Sequence, residues 1–318
     1  MPLRIVFCGT PAFALPALKH LIAQPDFKVE SVVTQPDRPK GRGHATSHSP
    51  VKEAAITAGI PVMQPEKVRA EEFQNHLKDL APDVVVIIAY GQIMPARLIA
   101  IPRLGWINLH GSLLPKYRGA APIHWAIANG EKTTGLTTMQ INAGLDTGPM
   151  LLKYETPIGP DETAPELIAR LAEAGAPLMS ETLRKLASGE IAPTPQDDSQ
   201  ATFAPPMKKE DGRVDWSLPS RTIYDRIRAF QPWPGAFSTF RGKACGIWGA
   251  PFSGEFEQTQ SPLPAGTTLF QQGGEILVAC GENTALRLEF VQMEGRKRVT
   301  AREFVNGARM EPGERLSS

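Results

Sequence analysis

Val84-Val85-Val86-Ile87-Ile88 is the stretch on which the fold turns. Five consecutive aliphatic residues leave no wet face, as a central parallel strand covered by helices on both sides requires. Working outward, Leu3–Cys8, Val29–Thr34, Ile60–Met63, Trp106–His110 and Leu136–Ile141 are further short apolar runs. Between them, Phe13–Ile22, Val51–Ala58 and Glu71–Leu80 carry apolar residues at helical spacing. This alternation predicts an α/β fold, a doubly wound, Rossmann-like, mostly parallel sheet domain over residues 1–190. Thr163 and Glu166 have the spacing of a capping box and open a helix to Ser188, which Pro177 is expected to kink or divide.

The pattern changes after residue 190. Residues 191–207 collect prolines with Asp, Ser, Gln and Thr and read as a linker. From 208 to 318, short runs at Ala236–Phe240, Lys243–Trp248, Thr267–Phe270, Ile276–Ala279 and Ala285–Gln292 are separated by Gly-, Pro- and Ser-bearing turns. In the last of these, Leu286, Leu288 and Phe290 alternate with Arg287 and Glu289, so one face is buried and one is wet. These strands predict a small C-terminal β-barrel of the oligonucleotide-binding (OB) type, closed by a short helix over Thr300–Asn306 that stops at Gly307.

Composition narrows the function classes. A net charge of +1 does not announce a nucleic-acid binder, and no apolar run is long enough to cross a bilayer. The three cysteines, Cys8, Cys245 and Cys280, have no paired spacing, which argues against disulfides and zinc and for a reduced, cytoplasmic protein without a metal. The first strand-to-helix turn, Gly9-Thr10-Pro11, lacks the three glycines of a dinucleotide fingerprint, and no phosphate-loop lysine motif occurs. No Gly-x-Ser-x-Gly elbow is present, so a serine-hydrolase triad is not expected.

The densest chemical constellation is Asn108-Leu109-His110-Gly111-Ser112-Leu113-Leu114-Pro115-Lys116-Tyr117-Arg118-Gly119-Ala120-Ala121-Pro122. It sits where a strand ends, at the carboxyl edge on which open α/β sheets bind ligands. Asn108 and His110 project to one face of a strand. An amide donor beside an imidazole suits a reaction passing through a tetrahedral oxyanion, with Asn holding the oxygen and His moving a proton. Asp146, in the loop Gly144-Leu145-Asp146-Thr147-Gly148, supplies a carboxylate to orient the imidazole or take a proton. Singly, each of these residues is more often structural; together at one sheet edge they point to catalysis.

The run Asn-x-His-x-Ser-Leu-Leu-Pro-x-x-Arg-Gly-Ala-Ala-Pro-Ile, followed by Gly-Leu-Asp-Thr-Gly, resembles the 10-formyltetrahydrofolate-dependent formyltransferases. The likeness extends to Ile5–Phe13, Gln35–Pro39, Ala89–Gln92, Lys208–Trp216 and Ile227–Ala236, so it covers nearly the whole chain. It implies that Asn108 and His110 polarise the formyl carbonyl, and that Asp146 holds His110 and assists proton transfer. It further implies that Ser112, Leu113, Leu114 and Pro115 bind 10-formyltetrahydrofolate, with backbone near Ile88–Tyr90 and Asn142–Gly144 cradling the pterin. The acceptor implied is the amine of an initiator methionyl-tRNA, its acceptor arm met by Arg38, Lys40 and above all Arg42. After Gly43 the chain departs from the family, with His44-Ala45-Thr46-Ser47 where lysines are common. Lys208, Lys209, Arg213, Arg241, Lys243 and Arg296-Lys297-Arg298 are candidates to track the tRNA backbone. The alternative within the family is transfer to a small amine, an amino sugar or glycinamide nucleotide. Nothing in the sequence demands more than a monomer.

Overall fold

The structure is a computed structural model that describes residues 1–40, 45–254, 263–271 and 274–317. The chain divides into two compact units. The first holds residues 1–122, 133–157 and 166–205; the second takes 206–318 and also residues 123–132 and 158–165.

The first unit is built on strands β1 (Leu3–Gly9), β2 (Phe27–Val33), β3 (Val62–Met63), β4 (Val84–Ile88), β5 (Trp106–His110), β6 (Thr133–Gln140) and β7 (Met150–Pro157). They form one sheet in the order β7-β6-β5-β4-β1-β2-β3. The ladder from β3 to β5 is parallel, and β6 and β7 add antiparallel at the other end. The doubly wound, mostly parallel sheet expected from the sequence is therefore present, and all five residues of β4 are buried. On one face Val6, Cys8, Val33, Val85 and Ile87 pack with Phe73 and Leu77 of the helix Glu71–Leu80 and with Leu98 and Trp106. Each such fully buried side chain contributes roughly 1.5–3 kcal/mol. The helix Ala164–Ser188 lies close enough to the sheet that a Cβ on Gly175 would stand 2.5 Å from Leu109 Cδ2.

Three features differ from the sequence reading. Pro177 neither divides nor ends the helix Ala164–Ser188: Pro177 and Glu173 both lie on its exposed face, so the carbonyl that proline leaves unpaired is not forced into the core. Strand β7 carries Lys153-Tyr154-Glu155 in the open, so this edge strand lacks the apolar signature that marked the others. Residues 191–205, read as a linker, pack as part of the sheet unit: Thr194 bridges Met150, and Phe203-Ala204 pair parallel with Arg118-Gly119. Prolines 193, 195 and 205 allow only such one- or two-residue ladders between them.

The second unit carries β8 (Phe237–Phe240), β9 (Lys243–Pro251), β10 (Thr268–Phe270), β11 (Ile276–Ala279), β12 (Ala285–Met293) and β13 (Leu316–Ser317), in the antiparallel order β10-β11-β12-β9-β8-β13. The two ends of this curled sheet meet where Thr267 bridges Arg315, with Thr268 N donating to Glu314 O (2.9 Å). Ile247, Val278, Leu286 and Val291 fill the interior with Trp216, Phe240 and Phe304. The helix Ala301–Ala308 opens on a Thr300/Glu303 capping box as expected, but it runs through Gly307 and stops at Arg309, whose φ of 48° supplies the left-handed cap.

Candidate active site

Strand β5 sets the site. Asn108 and His110 lie on the same side of it, Asn108 pairing with Ile87 and Met139 in the ladder and His110 with Thr137. His110 is buried, whereas Asn108 is half-buried and its amide makes no hydrogen bond within the described residues. A half-buried amide with both donors open suits an oxygen ligand. His110 Nε2 lies 2.9 Å from the Tyr117 carbonyl oxygen. A carbonyl only accepts, so Nε2 carries the proton in this contact and Nδ1 is left as the nitrogen that exchanges one.

Nδ1 faces Asp146, with Oδ2 at 3.6 Å. That gap exceeds a hydrogen bond and falls within ion-pair range. The same Oδ2 accepts from Gly119 N at 2.9 Å, while Oδ1 takes no hydrogen bond from a described residue. The structure thus brings Asn108, His110 and Asp146 to one end of the sheet. Asp146 sits at φ 51°, a left-handed conformation that costs an L-residue energy and must be held by its surroundings. The turn it begins needs glycine at 148, where a Cβ would lie 1.7 Å from Gln140 O.

The segment Ser112–Pro115 is pinned largely by Thr137. Thr137 Oγ1 donates to Ser112 O (2.7 Å) and accepts from Leu114 N (3.1 Å). Ser112 is fully buried and its Oγ donates to Lys116 O (2.6 Å), and Lys153 Nζ reaches Leu114 O (2.6 Å). With the polar groups of Ser112 and Leu114 spent on the turn, the half-buried Leu113 and Pro115 are what it offers to a ligand. Near the end of β4, the Tyr90 carbonyl accepts from Gln35 Nε2 at 2.7 Å. Tyr117, Gly119, Thr137 and Lys153 were not singled out from the sequence. Tyr117 and Gly119 act through backbone groups, which leave no side-chain signal, and Thr137 is one of several threonines in a strand.

Among the basic candidates, Arg42 lies outside the described residues, as does the side chain of Lys40; Arg38 is exposed. Asp37 beside it is held by Lys52 Nζ, by Gln64 Nε2 (3.0 Å) and by His48 Nδ1 (3.1 Å), which ties the two ends of the 38–48 segment together. These partners, Lys52 foremost, hold the Asp37 carboxyl down at about 2. In the second unit Arg296, Lys297 and Arg298 are exposed, and Arg298 stacks over Trp248 and Phe290 at 5.2 and 5.1 Å. Arg241 is already engaged, pairing with Glu314 at 2.8 Å and donating to Ala308 O.

Burial pushes all three thiols up, Cys245 to about 11 and Cys280 to about 12, so none is a thiolate nucleophile at neutral pH. Among the described residues no group of three or more His, Cys, Asp or Glu is placed to hold a metal ion, and no helix is long and apolar enough to cross a membrane.

Residues 3–183 match the formyl transferase family and residues 206–309 match the formyl transferase C-terminal domain. A methionyl-tRNA formyltransferase of Koribacter versatilis (strain Ellin345) is 50% identical over 313 residues, 98% of each chain. One of Solibacter usitatus (strain Ellin6076) is 51% identical over 314 residues, covering 99% of this chain and 98% of its own. Among solved structures, the sugar 3N-formyl transferase WlaRD, in the presence of dTDP and 5-N-formyl-THF, superposes with a TM-score of 0.65 at 15% identity, over 93% of this chain and 100% of that one. HypX from Aquifex aeolicus, in complex with tetrahydrofolic acid, gives 0.61 at 17% identity over 99% of this chain and 49% of its own. The two structural likenesses speak for the fold; family membership rests on the full-length relatives. The chain belongs to the formyl transferase family and, within it, to the methionyl-tRNA formyltransferases.

Proposed function

We infer that the chain transfers the formyl group of 10-formyltetrahydrofolate to the free amino group of initiator methionyl-tRNA. The observation that carries the chemistry is the triangle of an open Asn108 amide, His110 Nδ1 and Asp146 Oδ2 at 3.6 Å from it. The acceptor is supported by relatives about half identical along their whole length, all named for methionyl-tRNA. The folate donor is supported by the structural neighbours that hold folates.

In this reading the amine nitrogen attacks the formyl carbon, a C–N bond forms and the carbonyl oxygen becomes an oxyanion. Asn108 donates to that oxygen, a contribution of about 10²- to 10³-fold for one such donor. Nε2 of His110 is committed to Tyr117, so Nδ1 is the nitrogen left to the reaction, and only when it has taken up a proton does it donate to the same oxygen. The amine loses one proton, which in this reading goes to Asp146, whose Oδ2 is taken by Gly119 N and whose Oδ1 is open among the described residues. The bond to folate N10 then breaks, N10 takes the proton that Asp146 accepted, and tetrahydrofolate leaves. No metal and no covalent enzyme intermediate enters the scheme.

The same reading assigns Ser112–Pro115 to the folate and Arg38, Lys40 and Arg42 to the tRNA acceptor arm. It divides the labour between a catalytic domain (1–190) and a tRNA-positioning barrel (208–318) of a monomeric, cytoplasmic enzyme. The deciding experiment offers the purified chain charged methionyl-tRNA, an amino sugar nucleotide and glycinamide ribonucleotide with the same folate. Formylation of a small amine but not of methionyl-tRNA overturns the acceptor. His110→Ala should lower transfer by about 10²- to 10⁴-fold, and a fully active variant would overturn the catalytic assignment. Arg42→Ala should weaken use of tRNA far more than binding of folate.

A further inference from the structure

We propose that Gln196 is a positioning residue for Asp146, acting as a strut between the buried Arg118 guanidinium and the main chain of the catalytic loop. The proposal rests on the reading of Asp146 given above. All four hydrogen-bonding positions of the Gln196 amide are occupied. Its Oε1 accepts from Arg118 Nε (3.0 Å) and Nη2 (2.7 Å), and its Nε2 donates to Asp146 O (2.7 Å) and Gly148 O (2.8 Å). Only one orientation of the amide is possible, because the flipped form would set an NH2 against a guanidinium and an oxygen against two carbonyls.

The anchor is itself fixed. Arg118 is 4% exposed, its backbone pairs with Phe203, and its Nη2 also meets Asp198 at 2.7 Å. The neighbouring residue, Gly119, donates its N–H to Asp146 Oδ2. Asp146 is therefore gripped at both ends from the Arg118–Gly119 pair: its carboxylate directly by Gly119, its backbone through Gln196. That double grip holds a non-glycine residue at φ 51° and fixes Oδ2 relative to His110 Nδ1. It also gives the Pro-rich stretch around residue 196 a task in the reaction.

Gln196→Glu tests positioning. An ionised glutamate keeps an acceptor for Arg118, but it sets its second oxygen against Asp146 O and Gly148 O with no hydrogen to give them, so the rate is read on the folded protein below the variant's own unfolding midpoint. The single-turnover rate of formyl transfer should fall on the order of 10²-fold, with KM for the folate and for methionyl-tRNA little changed. In an Asp146→Asn background the same substitution should cost nothing further, since the group it orients is gone. A wild-type rate for Gln196→Glu, or a loss that adds in full to that of Asp146→Asn, overturns the proposal while leaving Asp146 in its role. Full activity of Asp146→Asn overturns both.

Discussion

Among the described residues each unit buries one arginine, and the two are satisfied in opposite ways. Arg228 in the second unit is 2% exposed and pairs with the similarly buried Asp225, Nε to Oδ1 at 2.8 Å, a carboxylate that the half-exposed Arg221 also meets at 2.8 Å, while Nη1 donates to Glu162 O (2.6 Å) and Gly159 O (3.2 Å). Arg118 in the sheet unit is 4% exposed, but its charge partner, Asp198, lies mostly in water, and its inward donors go to the neutral amide of Gln196. A buried guanidinium on a buried carboxylate has its charge met inside the fold and holds that fold together. One whose inner face meets an amide passes its rigidity on, here to the loop of Asp146. Similar burial therefore marks stability in one unit and, on the proposed role of Asp146, function in the other.

The largest effect should come from opening the closed pair. Asp225→Ala leaves the Arg228 charge buried without its carboxylate, for which about 3–5 kcal/mol of destabilisation is expected. Trp125 and the buried Trp216 belong to this unit, so denaturant unfolding followed by tryptophan fluorescence reads the change directly. Formyl transfer should be lost only as far as folding is. A variant that stays stable but inactive would place Asp225 in the chemistry and erase the contrast.

Arg118→Lys tests the other half. Lysine retains a charge for Asp198 but cannot set two fixed N–H groups on one amide oxygen. The transfer rate should drop about tenfold, the low end of what removing an outer partner does at a functional site, with the unfolding midpoint nearly unchanged. If stability falls as it does for Asp225→Ala and the activity of the folded fraction is normal, Arg118 is only another structural ion.

How much of this was legible beforehand follows from where each signal resides. β4 announced itself because both of its faces are apolar, and the helix Glu71–Leu80 because Phe73 and Leu77 recur at helical spacing. Asn108, His110 and Asp146 stood out because their side chains are chemically distinctive and the sheet rule places strand ends at the ligand. The helix Ser220–Ala229 did not show, since Arg221, Asp225, Arg226 and Arg228 interrupt its apolar face and the pair that buries two of them forms only in three dimensions. Gln196 was hidden for a related reason. Prolines and polar residues read as a connector, and nothing local reveals that one amide among them meets an arginine 78 positions away. The grip of Tyr117 and Gly119 on the site is made by backbone atoms, which any residue would carry.

The smallest effect should come from a third charged cluster, this one at the surface. Asp37 draws on Lys52, Gln64 and His48, but the cluster is half-buried at the surface, so the pairing should matter less to the fold than the buried pair does. The sign of its pH dependence is set by a carboxyl held down at about 2 against an ordinary value near 3.9. Its contribution is complete above the ordinary value and disappears as the pH falls through about 2. The stability difference between the unaltered chain and Asp37→Asn should accordingly be constant from neutrality to mild acid and close only below pH 4, roughly the ordinary carboxylate range. Lys52→Met should bring the Asp37 titration, followed by carboxyl NMR, back toward the ordinary value. Because the cluster ties the ends of the 38–48 segment, Asp37→Asn should also raise KM for methionyl-tRNA by no more than a few-fold, with kcat intact. A loss as large as that of Gln196→Glu would mean that a half-buried ion pair at the surface positions the reacting groups, and a buried anchor would no longer be what aiming the chemistry requires.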